Sequence, residues 1–390
     1  MERVYLDHAS ATPVKKEVLR AMIPYFDQHF GNPSTVYDLG TNIKRVMEEQ
    51  REKVGSLIGA QGGQIIFTSS GAEANNLAIK GVVFAKQKKG NHIIVSSVEH
   101  HSVLNAARFF ERFDYEVTFL PTDEYGLVDP KRLEGAIRPE TVLVSVMHAN
   151  NEIGTIEPIS ELSEICRSKG VIFHTDAVAT VGNIPVDVKE LGVDLLSLSG
   201  GSLGAPKGTG ALYFREKLRL MPLIHGGIQE SGRRGGTENI PGIVGLGKAA
   251  EIASKELPTR MNYTKDLRDR LVKGIIERIE KVKYTGHPQR RLPGHASLCI
   301  EAIEGEALIY MLNSYGVYAN TGSACASKAL KTSPVLVAIG VPAEIAQGSV
   351  VFTLDSSNTI EEIEYVIEKM PLAVQKLRDL SPIWRENKAA

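Results

Sequence analysis

Between residues 64 and 214, short continuous apolar runs alternate with segments of helical periodicity, and this alternation limits the fold more than any other feature of the sequence. The expected strands are 64–68, 92–98, 116–121, 141–147, 171–175, 194–199 and 210–214. The expected helices between them are 72–86, 101–112, 130–137 and 158–169. Strands that are apolar along their whole length are typical of a parallel sheet with helices on both faces, since both sides of each strand are then buried. The sequence therefore predicts an α/β fold around one large, mainly parallel sheet.

The segments outside this region predict further helices and a second, smaller α/β unit. An amphipathic helix is expected at 41–58, where Gly59 would end it, and a helical stretch at 241–281, interrupted near Pro258. After Pro293 the expected elements are strand 297–301, helix 304–314, strands 316–319 and 349–353, and helix 359–376.

Charge, hydropathy and cysteine content exclude several classes of protein. Lys and Arg total 45 against 46 for Asp and Glu, so the net charge of −1 argues against a non-specific nucleic-acid binder, although a local basic patch stays open. No apolar run approaches the ~18 residues that a membrane span needs. The charged N-terminus lacks the apolar core of a signal peptide, so we expect a cytoplasmic protein. Three cysteines in 390 residues are too few for a disulfide framework, and the lack of a CxxC pair among them argues against a zinc knuckle.

Polar and small residues follow five of the expected strands, at the edge where ligands of an open parallel sheet collect. Ser69, Ser70, Gly71 and Ala72 open a helix, and the free N–H groups of such a turn can hold a phosphate. The residues after the other four strands are Glu99-His100-His101, His148 to Glu152, Asp176 and Gly200-Gly201-Ser202. Five such strand ends in one sheet predict a ligand site at its carboxyl edge.

These strand ends belong to longer motifs that run through most of the chain: YLDHASATPV at 5–14, FGNPST at 30–35, TSSGAEANNLAIKG at 68–81, VEHHSVLN at 98–105, HANNEIGTIEPI at 148–159, HTDAVATVG at 174–182, GAPKGTGALYF at 204–214, GGIQESGRRGGTENIPGIVG at 226–245 and NTGSACASK at 320–328. In these motifs the chain resembles the cysteine desulfurases of the NifS/IscS type, within the class V aminotransferase fold of pyridoxal-phosphate (PLP) enzymes. The resemblance implies a fold type I PLP-dependent transferase with a sheet of the seven-stranded type. It also implies a large domain at 16–254, a small domain from 1–15 and 255–390, and a homodimer with active sites at the interface.

The resemblance also implies a role for each matching residue. Asp176 would lie under the pyridine nitrogen and keep it protonated, which makes the ring an electron sink. His100 would stack on the ring and shuttle protons. The remaining cofactor contacts would come from Asn151 to the ring hydroxyl, from Gly71, Ala72 and Ser199 to the phosphate, and from Thr237 of the partner subunit to the phosphate. The structural alternatives are a capped strand end for Asp176 and a packed histidine for His100.

Cys325 lies in a segment rich in Gly, Ser and Ala, where the family has its catalytic thiol. The resemblance implies that its thiolate attacks the sulfur of a PLP-bound cysteine and carries the persulfide away. Cys166 lies in an amphipathic helix and Cys299 in an apolar strand, so both are interpreted as core thiols.

The chain departs from the family pattern at the residues that do the chemistry. Between matching flanks, Ser202 occupies the position of the Schiff-base lysine and Gly201 that of the adjacent histidine. Val351 stands where an arginine would bind the substrate carboxylate by a bidentate, charge-assisted pair. Further departures are Ala179 for a glutamine, Ala72 for a phosphate-binding threonine, Tyr37 for a histidine and Ser231 for an arginine.

Two hypotheses follow from which residues of the family pattern are replaced in this chain and which are kept. In the first, standard desulfuration is absent, PLP is bound non-covalently or not at all, and Cys325 accepts sulfur or ligates a shared iron–sulfur cluster with a scaffold protein of the IscU kind. In the second, a residual cysteine desulfurase uses non-covalent PLP and a Cys325 persulfide. A different PLP-type reaction is disfavoured, since Lys207 matches the family's second, structural lysine and no other lysine occupies the right place.

Overall fold

The structure is a computed structural model, and it describes residues 3–322, 332–382 and 384. Its strands are β1 (Val4–Tyr5), β2 (Ile65–Thr68), β3 (His92–Ser96), β4 (Glu116–Leu120), β5 (Thr141–Ser145), β6 (Ile172–Asp176), β7 (Leu195–Ser199), β8 (Gly210–Phe214), β9 (Val282–Tyr284), β10 (His295–Ile300), β11 (Val317–Tyr318) and β12 (Ser349–Thr353). Its α-helices are α1 (Lys16–Met22), α2 (Pro24–Asp27), α3 (Asp38–Leu57), α4 (Gly71–Lys86), α5 (His101–Arg108), α6 (Pro130–Ala136), α7 (Ile159–Ser168), α8 (Val188–Leu191), α9 (Ile240–Ile276), α10 (Gly305–Ser314), α11 (Pro334–Ala338), α12 (Ala343–Ala346) and α13 (Ile360–Leu380). Short 3₁₀ helices lie at Gly62–Gln64, Phe109–Phe113, Gly201–Leu203 and Gln229–Gly232.

In the described part of the chain, seven strands form one sheet in the order β2-β8-β7-β6-β5-β3-β4. Strands β4, β3, β5, β6 and β7 run parallel, and β8 runs antiparallel to both of its neighbours. Every residue of β3, β5 and β6 is buried, which explains why their apolar residues follow one another directly instead of alternating with exposed polar ones. The prediction of an α/β fold with a mainly parallel sheet is confirmed.

The turn from β2 into α4 shows how the sequence shapes the carboxyl edge of this sheet. Ser70 caps α4, because its Oγ accepts the N–H of Glu73 at 3.1 Å. A side chain at Gly71 would place its Cβ 2.6 Å from Val178 Cγ2, so the helix can begin this close to the end of β6 only with a glycine there. The ends of the parallel strands thus converge on the first turn of α4.

A second region has its own sheet and its own apolar cluster. Strands β12, β10 and β9 form an antiparallel sheet, and β1 pairs in parallel with β11. Val350 and Phe352 of β12 pack with side chains of β10, α9, α10 and α13 in a cluster that is separate from those of the large sheet.

Helix α9 connects the two regions and differs from the sequence expectation. It runs without interruption for 37 residues and contains Pro258, so the expected break near this proline is wrong. A proline removes one helical hydrogen bond, but α9 packs against α1 and α3 near its start and against α13 near its end. These contacts hold the helix on both sides of the proline. The predicted domain boundary after residue 254 falls inside α9 and stays a prediction.

None of the described helices is both long and apolar enough to cross a membrane.

Candidate functional site

Asp176 is a buried carboxylate at the carboxyl end of β6. It accepts hydrogen bonds from the Val178 N–H at 2.9 Å and from Asn75 Nδ2 at 2.6 Å. Burial raises the pKa of Asp176, whereas the bonds from Val178 and Asn75 and the nearby His100 lower it. Asn75 projects from α4, so the carboxylate is held by donors from two elements that the fold brings together.

His100 caps the start of α5 and is joined to Asp176 by a chain of hydrogen bonds. Its Nδ1 accepts the backbone N–H of Ser102 at 3.2 Å and lies 2.7 Å from Ser102 Oγ. Asn75 Nδ2 donates to the same Oγ at 2.9 Å. Because a backbone N–H can only donate, Nδ1 is the acceptor, and the neutral ring carries its proton on Nε2. Asn75 Oδ1 is buried and has no partner among the described residues, so the site retains an unused acceptor.

The first turn of α4 has the geometry of an anion-binding site. The N–H groups of Gly71 and Ala72 have no acceptor within the helix, because the first turn of any helix leaves such donors free. A Cβ built on Gly71 would lie 3.4 Å from Ser199 Cβ, which places the end of β7 directly beside this turn. Gly71, Ala72 and Ser199, predicted from the sequence as phosphate ligands, therefore share one corner of the site.

Ser202 lies in the 3₁₀ helix that follows β7. Its Oγ donates to the carbonyl oxygen of Ser199 at 2.9 Å, and Thr12 Oγ1 donates to the carbonyl oxygen of Gly201 at 2.5 Å. A Cβ added at Gly201 would meet only Ser199 Oγ, at 3.8 Å, so the backbone here has room for a larger side chain. Lys207 is exposed in the following turn. The position that the family resemblance gives to the lysine thus holds a hydroxyl engaged with its own backbone.

Asn151 lies in the turn after β5 and shares a small cavity with His100. The other residues that line this cavity are Ser97, Glu99, His101, Leu104, Glu152, Pro334 and Val335. The backbone of the turn is fixed by His295, whose Nε2 donates to the carbonyl oxygen of Asn151 at 2.9 Å. Burial lowers the pKa of His295 to about 4, so this histidine is neutral at pH 7.

Val351 is a buried residue of β12, paired with Ser297 of β10 and bridged to Asn320. Since side chains alternate along a strand, it faces away from Val350 and Phe352, which pack in the apolar cluster. A valine at this position offers no group that binds a carboxylate.

Two predicted site residues are not brought into the site by the described chain. Thr237 is exposed in the segment before α9. That segment reaches the start of α4 through Arg234, whose Nε lies 3.0 Å from Glu73 Oε1. Cys325 lies outside the described residues, so its roles as thiol carrier and cluster ligand stay predictions. Within the described ranges no group of three or more His, Cys, Asp or Glu side chains could hold a metal ion.

The other two cysteines lie in the core, as predicted. Cys166 in α7 and Cys299 in β10 are fully buried, and burial raises the pKa of each thiol to about 12. Thiolate is the reactive form of cysteine, so neither side chain is suited to sulfur transfer at neutral pH.

Asn75 and Ser102 are site residues that the sequence reasoning missed. Both stand inside motifs noted above, TSSGAEANNLAIKG and VEHHSVLN. Asn75 follows Gly71 by four residues, which puts it on the same face of α4 and indicates that it points toward the sheet edge. No comparable signal marks Ser102, because its role depends on contacts between α4 and α5.

Comparisons with known proteins agree with this geometry. Residues 4–366 match the model of the Aminotransferase class-V family. A cysteine desulfurase IscS from Methanosarcina thermophila is 50% identical over 380 residues, which cover 97% of this chain and 94% of the relative. A cysteine desulfurase IscS from Dictyoglomus turgidum is 49% identical, with 99% of this chain and 98% of the relative covered.

Solved structures of related proteins have the same fold as this chain. A NifS-like protein superposes with a TM-score of 0.91 at 36% identity, covering 96% of this chain and 100% of the other. The apo structure of a cysteine desulfurase from Thermococcus onnurineus NA1 superposes with a TM-score of 0.86 at 27% identity, covering 96% of each chain.

Proposed function

We propose, from the premise that this chain belongs to the aminotransferase class-V family, that it is a cysteine desulfurase-like protein of sulfur transfer or iron–sulfur cluster assembly that does not perform standard desulfuration. The two IscS relatives support the general assignment. The observation that carries the finer proposal is Ser202, a hydroxyl bonded to Ser199 O at the position of the family lysine. A hydroxyl cannot form the covalent link to PLP, and it is too weakly basic to take a substrate proton at neutral pH.

PLP is the cofactor expected for this family, and the described residues fit part of it. Gly71 leaves open the corner beside Ser199 where a phosphate would be held, because a side chain at this position would collide with Val178. The buried Asp176 carboxylate and the unpartnered Asn75 Oδ1 suit the polar edge of a ring. Ser202 cannot form a covalent link to PLP, because its side chain carries a hydroxyl instead of an amine. We therefore propose that PLP is bound non-covalently or not at all.

Bound PLP would be contacted by residues whose hydrogen-bond partners already hold them in place. When bound, PLP supplies an electron sink. Asp176, held by Asn75 and Val178, would pair with the ring nitrogen. His100 would present its Nε2 proton, since Nδ1 is occupied by Ser102. The free N–H groups of Gly71 and Ala72, with Ser199 and the Thr237 of a second subunit, would hold the phosphate, and Asn151 would contact the ring hydroxyl.

The sulfur chemistry is assigned to Cys325 because the other two thiols are buried. In the proposed step its thiolate attacks the outer sulfur of a donor persulfide. A new S–S bond forms on Cys325, and the donor leaves as a thiolate, so no oxidant or reductant is needed. The same thiolate is a suitable ligand for an iron–sulfur cluster shared with a scaffold protein of the IscU kind.

A residual desulfurase that uses non-covalent PLP and a Cys325 persulfide is the second candidate. It is favoured by the intact hydrogen-bond chain from Asp176 through Asn75 and Ser102 to His100. This network holds Asp176 and His100 on the two elements that a bound cofactor would contact.

The partners remain proposals. A homodimer is supported by large apolar side chains that are exposed before and at the start of α3, namely Phe26, Phe30, Val36 and Tyr37. Exposed apolar patches of this kind commonly mark interfaces. The cytoplasmic location and the absence of nucleic-acid binding stay predictions from the sequence.

The decisive experiment combines a spectrum with a transfer assay. The protein is saturated with PLP, passed through a desalting column and treated with borohydride. We expect no PLP linked to a lysine. Sulfur-35 is then supplied from a persulfidated donor to the wild type and to Cys325→Ala. Label on the wild type alone supports the proposal, whereas equal labelling of both proteins contradicts it. Cysteine turnover by the PLP-loaded wild type would favour the second candidate.

A further inference from the structure

The outer edge of strand β2 is covered by two charged side chains. In the described part of the chain β2 is an end strand of the large sheet, so only one side of its backbone pairs with another strand. On the other side, Arg51 Nη1 donates to the carbonyl oxygen of Ile65 at 2.9 Å. Glu230 Oε2 accepts the N–H of Phe67 at 2.9 Å. The two side chains therefore supply the donor and the acceptor that a neighbouring strand would otherwise provide.

Arg51 and Glu230 also bind each other in a bidentate ion pair. Arg51 Nη1 lies 2.7 Å from Glu230 Oε2, and Arg51 Nη2 lies 2.8 Å from Glu230 Oε1. The two side chains are only 8% and 3% exposed. Burial by itself would lower the pKa of Arg51, but the hydrogen bonds and the charge of Glu230 raise it. Such a pair is costly to break, because removal of one partner leaves a charge buried without its counter-charge.

The backbone at Glu230 is strained. Glu230 and Ser231 both lie in the left-handed region, with φ of 46° and 56°, which residues other than glycine rarely adopt. A conformation of this kind persists only where the surrounding structure imposes it. The buried ion pair supplies that constraint, because it fixes the Glu230 side chain against β2.

Two further contacts hold segment 224–237, which we call the arm. The Gly235 N–H donates to the carbonyl oxygen of Ile224 at 2.9 Å and closes the arm at its base. Arg234 Nε lies 3.0 Å from Glu73 Oε1, in the first turn of α4. Together with the buried ion pair, these contacts hold the arm within a single subunit.

We propose that Arg51 and Glu230 are positioning residues that preorganise the arm, so that Thr237 at its end is presented to a second copy of the chain. Thr237 is exposed. A segment that is already ordered loses less conformational entropy on binding than a mobile one. The assignment of Thr237 to the phosphate of a second subunit rests on the proposed function, whereas the conformation of the arm does not.

The first test is hydrogen exchange, followed by mass spectrometry of the full-length protein at pH 7. Glu230→Gln keeps the size of the side chain and removes its charge, so exchange at Phe67 and in residues 226–237 should rise roughly tenfold. Glu116→Gln is the matched control, because Glu116 forms an exposed pair with Arg138 at the opposite edge of the same sheet. Wild-type exchange in Glu230→Gln, or an equal rise in both variants, would overturn the inference.

A double variant separates positioning from stability. Arg51→Met alone leaves the Glu230 carboxylate buried and should have the lowest midpoint of urea unfolding. Arg51→Met combined with Glu230→Gln leaves no unpaired charge, so its midpoint should recover toward that of the wild type. Exchange in the arm should stay high in this double variant, because the bonds that fix the left-handed turn are still missing. Recovery of wild-type exchange as well would show that the pair only stabilises the fold.

The last test is titration with PLP, followed by its absorption. Glu230→Gln should weaken PLP binding severalfold, and Glu116→Gln should leave it unchanged. Equal affinities in the wild type and Glu230→Gln would overturn the presentation of Thr237. A wild type that binds no PLP would refute the phosphate role of Thr237, which belongs to the proposed function, while raised exchange in Glu230→Gln would still support the positioning of the arm.

Discussion

Replacing Glu157 by glutamine should make the protein progressively more stable than the wild type as the pH rises. Glu157 is buried, and its Oε2 accepts the Val128 N–H at 2.9 Å. Its Oε1 has no partner among the described residues. Burial raises the pKa of Glu157 to about 8, an effect opposed by the Val128 bond and reinforced by Asp123. Glutamine has the same shape and keeps the acceptor but cannot ionise.

The sign follows from proton linkage. The folded-state pKa of Glu157 lies above its unfolded value of 4.5, so the folded state holds the proton more tightly. The stability gained from this is fully present below the unfolded pKa and is lost as the pH rises through the folded pKa. Between these limits the wild type loses about 1.4 kcal/mol per pH unit through this group, or about 3 to 5 kcal/mol in total.

The assay is urea unfolding of both proteins at several pH values from 5 to 9, at one salt concentration. The difference in unfolding free energy between Glu157→Gln and the wild type should rise with pH and level off above about 8. Other buried groups are common to both proteins and cancel in this difference. The exposed Glu161 of α7 supplies the control, because Glu161→Gln should show a constant difference. A pH-independent difference for Glu157→Gln would refute the assignment of a neutral buried acid.

Two further predictions concern the site. Gly201→His combined with Ser202→Lys should retain PLP through a desalting column, with visible absorption that borohydride abolishes, because the backbone at Gly201 has room for a side chain. A double variant that folds but retains no PLP would show that the pocket has changed beyond these two positions. Asn75→Ala should lower the free energy of unfolding by about 2 to 3 kcal/mol at pH 7, since it removes the 2.6 Å donor to Asp176. The loss should shrink as Asp176 is protonated in acid, so an equal loss at all pH values in urea unfolding would contradict this role. In the Asp176→Asn background, which cannot ionise at this position, the loss should be smaller and independent of pH.

The elements of the large sheet could be predicted from the sequence because burial on both faces imposes continuous apolar runs. The positions of the strand ends were predicted less accurately. The strand expected at 92–98 ends at Ser96, and the strand expected at 141–147 ends at Ser145. Apolar residues continue past the last ladder hydrogen bond in both places. Val98 packs in a separate apolar cluster and Val146 in the main core. The chain therefore stays buried for one or more residues after each strand has ended.

The continuity of α9 could not be predicted from its composition. A proline inside a periodic segment favours a break, and Pro258 alone gives no sign that the helix continues. The packing partners of α9 come from α1, α3 and α13, which lie far away along the chain. Their combined contacts outweigh the local preference of one residue.

The order of residues alone fixes the chemistry available at each position. It supplies a carboxylate at Asp176, a glycine at 71, a hydroxyl at Ser202 and an aliphatic side chain at Val351. These facts follow from residue identity and order, which no packing can alter.

Which side chains act together depends on how the elements pack in three dimensions. Asn75 bonds to both Asp176 and Ser102, and Glu152 accepts a hydrogen bond from Ser333, because the fold closes distances of 27 to 181 residues along the chain. Hydrogen bonds and burial depend on separations of a few ångströms in space, and one-dimensional patterns report only the neighbours within a helix or strand. The hydrogen bonds around Asp176 and the one from Ser333 to Glu152 therefore became visible only once the strands, helices and turns were packed together.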